Sequence, residues 1–208
     1  MSSSNLLRWS GLATLVGGML FIVLEVAEFA LFGSQADSAT MTSSASIFVD
    51  LSFLVATVLV ALGLVGLYVR QAQEAGSLGL IAFLVAFAGI VLMSGSVWSE
   101  TFIGPWLAEA APELIEAEPS GVTLAGFILT VGLFALGGFL FGLASLQAGV
   151  LPRGSAVLLM VGAILAFVLV LIEFPVFAIV QSAALAWMGY ALWSGDAEPE
   201  MIVEAAMQ

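Results

Sequence analysis

The chain has 208 residues, 62% of them hydrophobic and 9% charged, with a net charge of -12. A soluble domain carries about 25% charged residues, so this chain needs lipid as its solvent, and its length leaves no room for a second sizeable domain. It has no Cys, His or Lys, which excludes disulfides, thiolate or imidazole metal sites, Ser-His-Asp and Cys-His catalytic pairs and a lysine Schiff base; the acidic balance excludes a nucleic-acid footprint.

A membrane span needs about 20 mostly apolar residues to cross ~30 Å of hydrocarbon. Six stretches meet this, roughly 11–32, 47–69, 77–99, 121–146, 155–173 and 175–193. The expected fold is therefore all-α: a polytopic bundle of six transmembrane helices over residues 1–193, followed by an acidic cytoplasmic tail at 194–208. The first stretch is too long for a cleaved leader and contains Glu25 and Glu28, so it is expected to be retained. The last two stretches nearly touch, and Glu173-Phe174-Pro175 divides them, because proline disfavours helix at the residue before it.

Orientation follows from the three arginines. Arg8 precedes the first span, Arg70 joins the second to the third, and Arg153 joins the fourth to the fifth. Six spans put all three on one face, while Asp37, Glu109, Glu113, Glu116 and Glu118 fall on the other. Basic residues stay in the cytoplasm, which predicts a cytoplasmic (inner) membrane protein with both termini inside. Trp9, Tyr68, Tyr190 and Trp193 form the aromatic belt of the arginine face, and Trp98 and Trp106 that of the outer face.

The outer connections differ in character. Residues 33–46 read as a polar loop that caps the second span. In 104–119, Trp106, Leu107, Ala110, Ala111, Leu114 and Ile115 recur at helical spacing with Glu109, Glu113 and Glu116 between them, as in an amphipathic segment lying along the interface. A helical-hairpin repeat is also suggested: Gly66-Leu67, Gln71-Ala72 and Gly76-Ser77 are echoed by Gly142-Leu143, Gln147-Ala148 and Gly154-Ser155.

Helices in lipid associate by close packing, because lipid tails are as apolar as leucine. Small residues one turn apart supply it: Ala13/Gly17, Ala82/Ala86 with Gly89, Gly138/Gly142, Gly162/Ala166 and Ser182/Ala186. Gly138 and Gly142 are expected to face another helix of this chain.

The run Gly149-Val150-Leu151-Pro152-Arg153, followed by apolar Ala156–Gly162, resembles a pattern in small multi-helix bacterial membrane proteins, as does the opening Arg8-Trp9-Ser10-Gly11-Leu12. The resemblance implies a helical bundle and brings no activity with it.

Acids at unusual depth are the candidate functional residues. At 1.5 Å per residue, Glu25 lies about 24 Å from Trp9, roughly one turn inside the outer boundary of the hydrocarbon. Glu28 shares its face one turn further out. Asp50, Glu100 and Glu173 each lie about 30–35 Å from the cytoplasmic end of their own helix. These five carboxylates reach a similar outer level with no basic residue on that side. Each must be hydrated, protonated, hydrogen-bonded or bound to a cation; an oxygen-only site suits a hard ion such as calcium or sodium, or an ammonium group. Gln181, Ser94, Ser96, Ser99 and Thr130 read as interhelical or backbone hydrogen bonders.

Two main readings follow. The first is a non-catalytic membrane protein, an accessory, assembly or structural subunit. The alternative is a small transporter or channel for a cation or cationic solute that uses the outer carboxylates. An intramembrane enzyme ranks third for want of His, Cys and Lys. No cofactor is expected. The expected partners are the bilayer, a cation or cationic small molecule, and another membrane protein or a second copy. A cavity reaching Glu25 would favour the alternative; a solid bundle with its acids splayed into water would favour the first. For topology, reporter fusions after Asp37 and after Glu116 are expected to read outside and a C-terminal fusion inside; an external C-terminus would mean that the fifth and sixth spans are wrongly divided.

Overall fold

The computed structural model of the chain describes residues 3–33, 38–115, 117, 120–171 and 178–195. Among these, every regular element is helical: α1 (Ser3–Phe32), α2 (Ser38–Met41), α3 (Ser44–Phe102), α4 (Gly104–Ala110), α5 (Pro112–Ile115), α6 (Gly121–Ala148), α7 (Arg153–Leu171) and α8 (Ile179–Ser194). Four of them, α1, α3, α6 and α7, are long and apolar enough to cross a membrane. Large apolar side chains such as Val23, Leu62, Leu84, Ile128 and Ile164 are exposed on the outside of the bundle, as expected for a lipid-facing surface.

At 59 residues, α3 would be about 88 Å long if straight, far more than a bilayer requires. It is instead a hairpin. Gly76, at φ 56° and ψ -145°, is the one non-helical residue within it, in a region open essentially only to glycine. Tyr68 and Phe83, which a straight helix would hold about 22 Å apart, stack across the turn with ring centroids at 4.4 Å. The sequence reading stopped the second span at 69 and assigned 70–76 to a connection; helix in fact runs through Arg70 to the turn itself. Tyr68 thus packs against the second arm and is half-buried, whereas Trp9, Trp98, Trp106, Tyr190 and Trp193 are exposed. The two segments proposed as a repeat also join their helices differently: the first turns at a single residue, and the second leaves α6 at Gly149 and re-enters helix at Arg153.

Counting the two arms of α3 separately, six helical rods close a ring, in the order α1, first arm, second arm, α6, α7, α8 and back to α1. Small residues set most of these contacts. A Cβ on Gly17 would meet Val60 and the Ala56 carbonyl of the first arm, and Thr14 packs directly onto the bare backbone of Gly63. On the other side of α1, a Cβ on Gly18 would lie 2.7 Å from the Ser182 carbonyl oxygen of α8. Gly89 and Gly137 bring the second arm against α6. The expectation for the glycine pair of α6 holds: a Cβ on Gly138 would lie 2.6 Å from Gln181 Nε2, and one on Gly142 2.7 Å from Met160 Cγ.

The outer segments are short. Ser43 caps α3 by accepting a hydrogen bond from the Ser46 amide at 3.1 Å, so the polar loop does cap the second span. The amphipathic stretch forms two short helices divided at Ala111, with Gly104 and Ala108 buried and Trp106, Glu109, Glu113 and Leu114 exposed. The proposed turn at 173–175, Glu116, Glu118 and most of the acidic tail lie outside the described residues.

The glycine contacts yield a controlled comparison. Gly142→Leu is expected to destabilise the bundle by about 1–3 kcal/mol through overpacking. Gly132→Leu on the same helix, where a Cβ meets nothing within 4 Å, is expected to leave the melting temperature in detergent unchanged or slightly raised. Equal effects of the two would refute the packing role.

Candidate functional site

The end of the ring away from the three arginines holds a cleft of about 200 Å³. Glu25 and Glu28 reach it from α1, Asp50 from the first arm of α3 and Glu100 from the second. Four of the five candidate acids are thus brought together; Glu173 lies outside the described residues. Glu28 is within Coulombic reach of Glu25, Asp50 and Glu100. Among the described residues, no arginine lines the cleft.

Their local settings differ. Glu25 is the floor, 4% exposed, whereas Asp50 is half-buried and Glu28 and Glu100 are exposed at the rim. Asp50 and Glu100 each accept a hydrogen bond from a serine one turn earlier, Ser46 Oγ at 3.5 Å and Ser96 Oγ at 3.1 Å. The walls are aromatic and aliphatic: Phe21 and Phe53, edge to face at 5.5 Å, with Met93, Phe127, Val131 and Phe134.

Glu25 has a specific partner. The Ala178 amide donates to both of its oxygens, at 2.9 and 3.2 Å. Ala178 is the N-cap residue of α8, and its own side chain offers no acceptor. The first amides of a helix have no intrahelical partner, and leaving them unsatisfied at membrane depth costs several kcal/mol. α8 has only 16 residues, short of a full span. Its N-terminus lies at the level of Glu25. The carboxylate of α1 therefore supplies the cap that α8 lacks, and the positive end of the helix dipole favours its charge. The depth of Glu25 was readable from the sequence; its partner, 153 residues away, was not. The only sequence signal was negative: an N-cap position filled by alanine rather than Ser, Thr, Asp or Asn.

The remaining polar residues behave largely as backbone bonders. Ser94 donates to the Ile90 carbonyl and Thr130 to the Gly126 carbonyl, each at hydrogen-bonding distance along its own helix. Gln181, 2% exposed, directs Nε2 at the Phe134 carbonyl of α6 at 3.5 Å.

Among the described residues, no three acidic, His or Cys side chains converge closely enough to hold a metal ion. The cleft instead offers spaced carboxylates over aromatic faces, a combination that attracts an ammonium group by both charge and ring quadrupole. Its volume is below the roughly 300–1,000 Å³ of drug-sized pockets, which limits an occupant to a few heavy atoms.

The fold and site define a helical membrane protein with an acidic, aromatic-walled cleft at one end. No known protein family matches the chain, and neither the curated proteins nor the solved structures contain a match to it.

The cap makes a direct prediction. Glu25→Ala, which leaves the Ala178 amide without an acceptor, is expected to lower stability by about 1–3 kcal/mol. Glu25→Gln retains one acceptor oxygen and is expected to fall between that variant and wild type. Glu28→Ala at the rim is expected to stay within about 0.5 kcal/mol of wild type. A Glu25→Ala protein as stable as Glu28→Ala in thermal melts would remove the capping role.

Proposed function

We propose that the chain is a six-span protein of the cytoplasmic membrane, both termini inside, that binds a small ammonium-bearing solute in its outer acidic cleft. The ring of six rods, the arginines at one end and the acids at the other support this topology. The observation that carries the binding reading is the cleft itself: carboxylates from three rods line one cavity over phenylalanine walls, with no cation built in to neutralise them. A purely structural subunit has no need of such a cavity. Its acids would be expected to splay into water around a filled core.

The roles divide by position. Glu28, Asp50 and Glu100 supply the field that draws a cation to the rim, and Phe21, Phe53 and Phe127 offer faces to its ammonium or methyl groups. Glu25 holds the floor in place through α8. Spaced carboxylates and aromatic walls favour a soft, weakly hydrated organic cation over calcium or magnesium, which require several converging oxygens.

Thermal shifts in detergent test this. Methylammonium, ethylammonium and choline are to be compared with sodium, calcium and magnesium. A ligand at 100 times its Kd stabilises the folded state by about 2.7 kcal/mol. For a chain of this size that is a rise of several degrees, at about 2–4 °C per kcal/mol. The small amines are expected to give such a rise, and the combined variant Glu28→Gln, Asp50→Asn, Glu100→Gln to abolish it. No shift with any amine, or an undiminished shift in the triple variant, would return the chain to the non-catalytic reading.

A further inference from the structure

Inward of the cleft, on the axis of the ring, lies a second and much smaller void of about 30 Å³. Every rod except α1 contributes to it, and one residue, Phe134, lines both cavities. Beside the void sits Gln181. Among the described residues its Oε1 is buried without a hydrogen-bond partner, and its Nε2 reaches only the long 3.5 Å contact to the Phe134 carbonyl. Two glycines on neighbouring helices make room for this side chain. A Cβ on Gly138 would meet the amide itself, and one on Gly162 would lie 2.5 Å from the Gln181 backbone nitrogen. Leaving a buried acceptor unpaired is costly, and the two glycines nonetheless keep the side chain there.

We propose that Gln181 is an inner station on a permeation path, accepting a water-sized ammonium ion or one-carbon amine that enters from the acidic cleft when the Phe134 ring swings aside. This inference rests on the cleft binding a small ammonium solute and adds passage to binding. Size sets the cargo: the void has room for one or two water-sized groups, enough for ammonium or methylammonium and too little for choline. Chemistry sets the sign: the free atom is a carbonyl oxygen, an acceptor suited to an N–H donor, and the adjoining Phe134 and Phe141 rings favour a cation. Toward the cytoplasmic end, further buried polar atoms also lack partners. Both amide atoms of Gln71 and the hydroxyl of Ser145 are in this state, and Ser145 lies about 16 Å beyond Phe134 along α6. Polar stations thus recur at three levels, from the outer acids through Gln181 to Gln71 and Ser145, with apolar side chains between them. Alternation of weak polar sites and hydrophobic constrictions is the physical requirement for passage, since a cargo must be held lightly enough to leave.

Uptake of radiolabelled methylammonium into liposomes carrying the purified full chain, driven by an inside-negative potassium diffusion potential, decides the matter. Wild type is expected to take it up well above protein-free vesicles and to exclude choline. Gln181→Leu is expected to cut the initial rate by about tenfold or more, as when a polar station becomes apolar, while the methylammonium thermal shift of the cleft persists. Phe134→Ala, which removes the ring between the cavities, is expected to raise the rate and to admit larger amines; it decides the case alone if Gln181→Leu does not fold. A thermal shift without uptake in wild type or Phe134→Ala would leave a binding cleft and sink the inner station. Undiminished uptake by a folded Gln181→Leu would do the same. Uptake that depends on Gln181 but not on Glu28, Asp50 and Glu100 would keep the inner station and remove the cleft from the path. Neither shift nor uptake would remove both.

Discussion

One hydrogen-bonded contact organises the cleft end of the molecule: the carboxylate of Glu25 on the amide of Ala178, the N-cap of α8. The first amides of a helix have no intrahelical partner and need an acceptor from elsewhere. Once α1 supplies the acceptor, the level of α8 in the ring is set. Gly18 then meets Ser182 and Ala186, and Gly189 meets Gly11. Gln181, one turn below the cap, is carried to the axis opposite Phe134. The floor of the acidic cleft and the inner void are thus two sides of one docking event. Glu25 is the acid that attracts most notice in the sequence, and its geometry makes it the anchor of α8.

The constraint on the rest of the ring is steric. Between apolar helices in an apolar solvent, burial of side chains gains little, and close approach has to come from backbones. The ring is accordingly closed by bare or nearly bare surfaces: Gly17 and Gly63 at one joint, Gly89 and Gly137 at another, Gly142 and Gly162 at the next two. Such joints tolerate neither a wider residue nor a rotated helix. They also explain how a ring with a cavity on its axis can stay open: the contacts lie around the wall, and the centre is relieved of the need to pack.

Much of this was legible in the amino-acid order. Apolar runs of spanning length located the helices, and counting the rise per residue from the arginine-bearing end of each helix placed Glu25, Glu28, Asp50 and Glu100 at a similar level. The pair Gly138 and Gly142 announced a contact, because a glycine pair one turn apart has few other uses in a membrane helix. What could not be read was which partner each face meets. The pairing of Thr14 with Gly63 and of Gly18 with Ser182 depends on how each rod is rotated about its axis, and the helices, apolar on all sides, carry no amphipathic stripe to reveal it. The aromatic wall of the cleft was hidden for the same reason: Phe21, Phe53, Phe127 and Phe134 look, one by one, like ordinary lipid-facing residues. The stacking of Tyr68 on Phe83 was hidden too, because a partner across a turn leaves no mark on its own helix.

The turn at Gly76 carries a consequence for descent with modification. It consists of one residue, with helix on both sides. A single amino acid inserted on the helical side of this turn would rotate the rest of the second arm relative to it by about 100°, the angle of one residue in a helix of 3.6 per turn. Glu100, Ser96 and Met93 would leave the cleft together, and Gly89 would leave α6. The make-up of the cleft is thus written into the length of a joint some 20 residues away along the chain, about 30 Å off at the opposite end of the arm. Related chains that vary the outer acids freely would be unremarkable; chains that vary the length of this joint would have to rebuild the second arm to match.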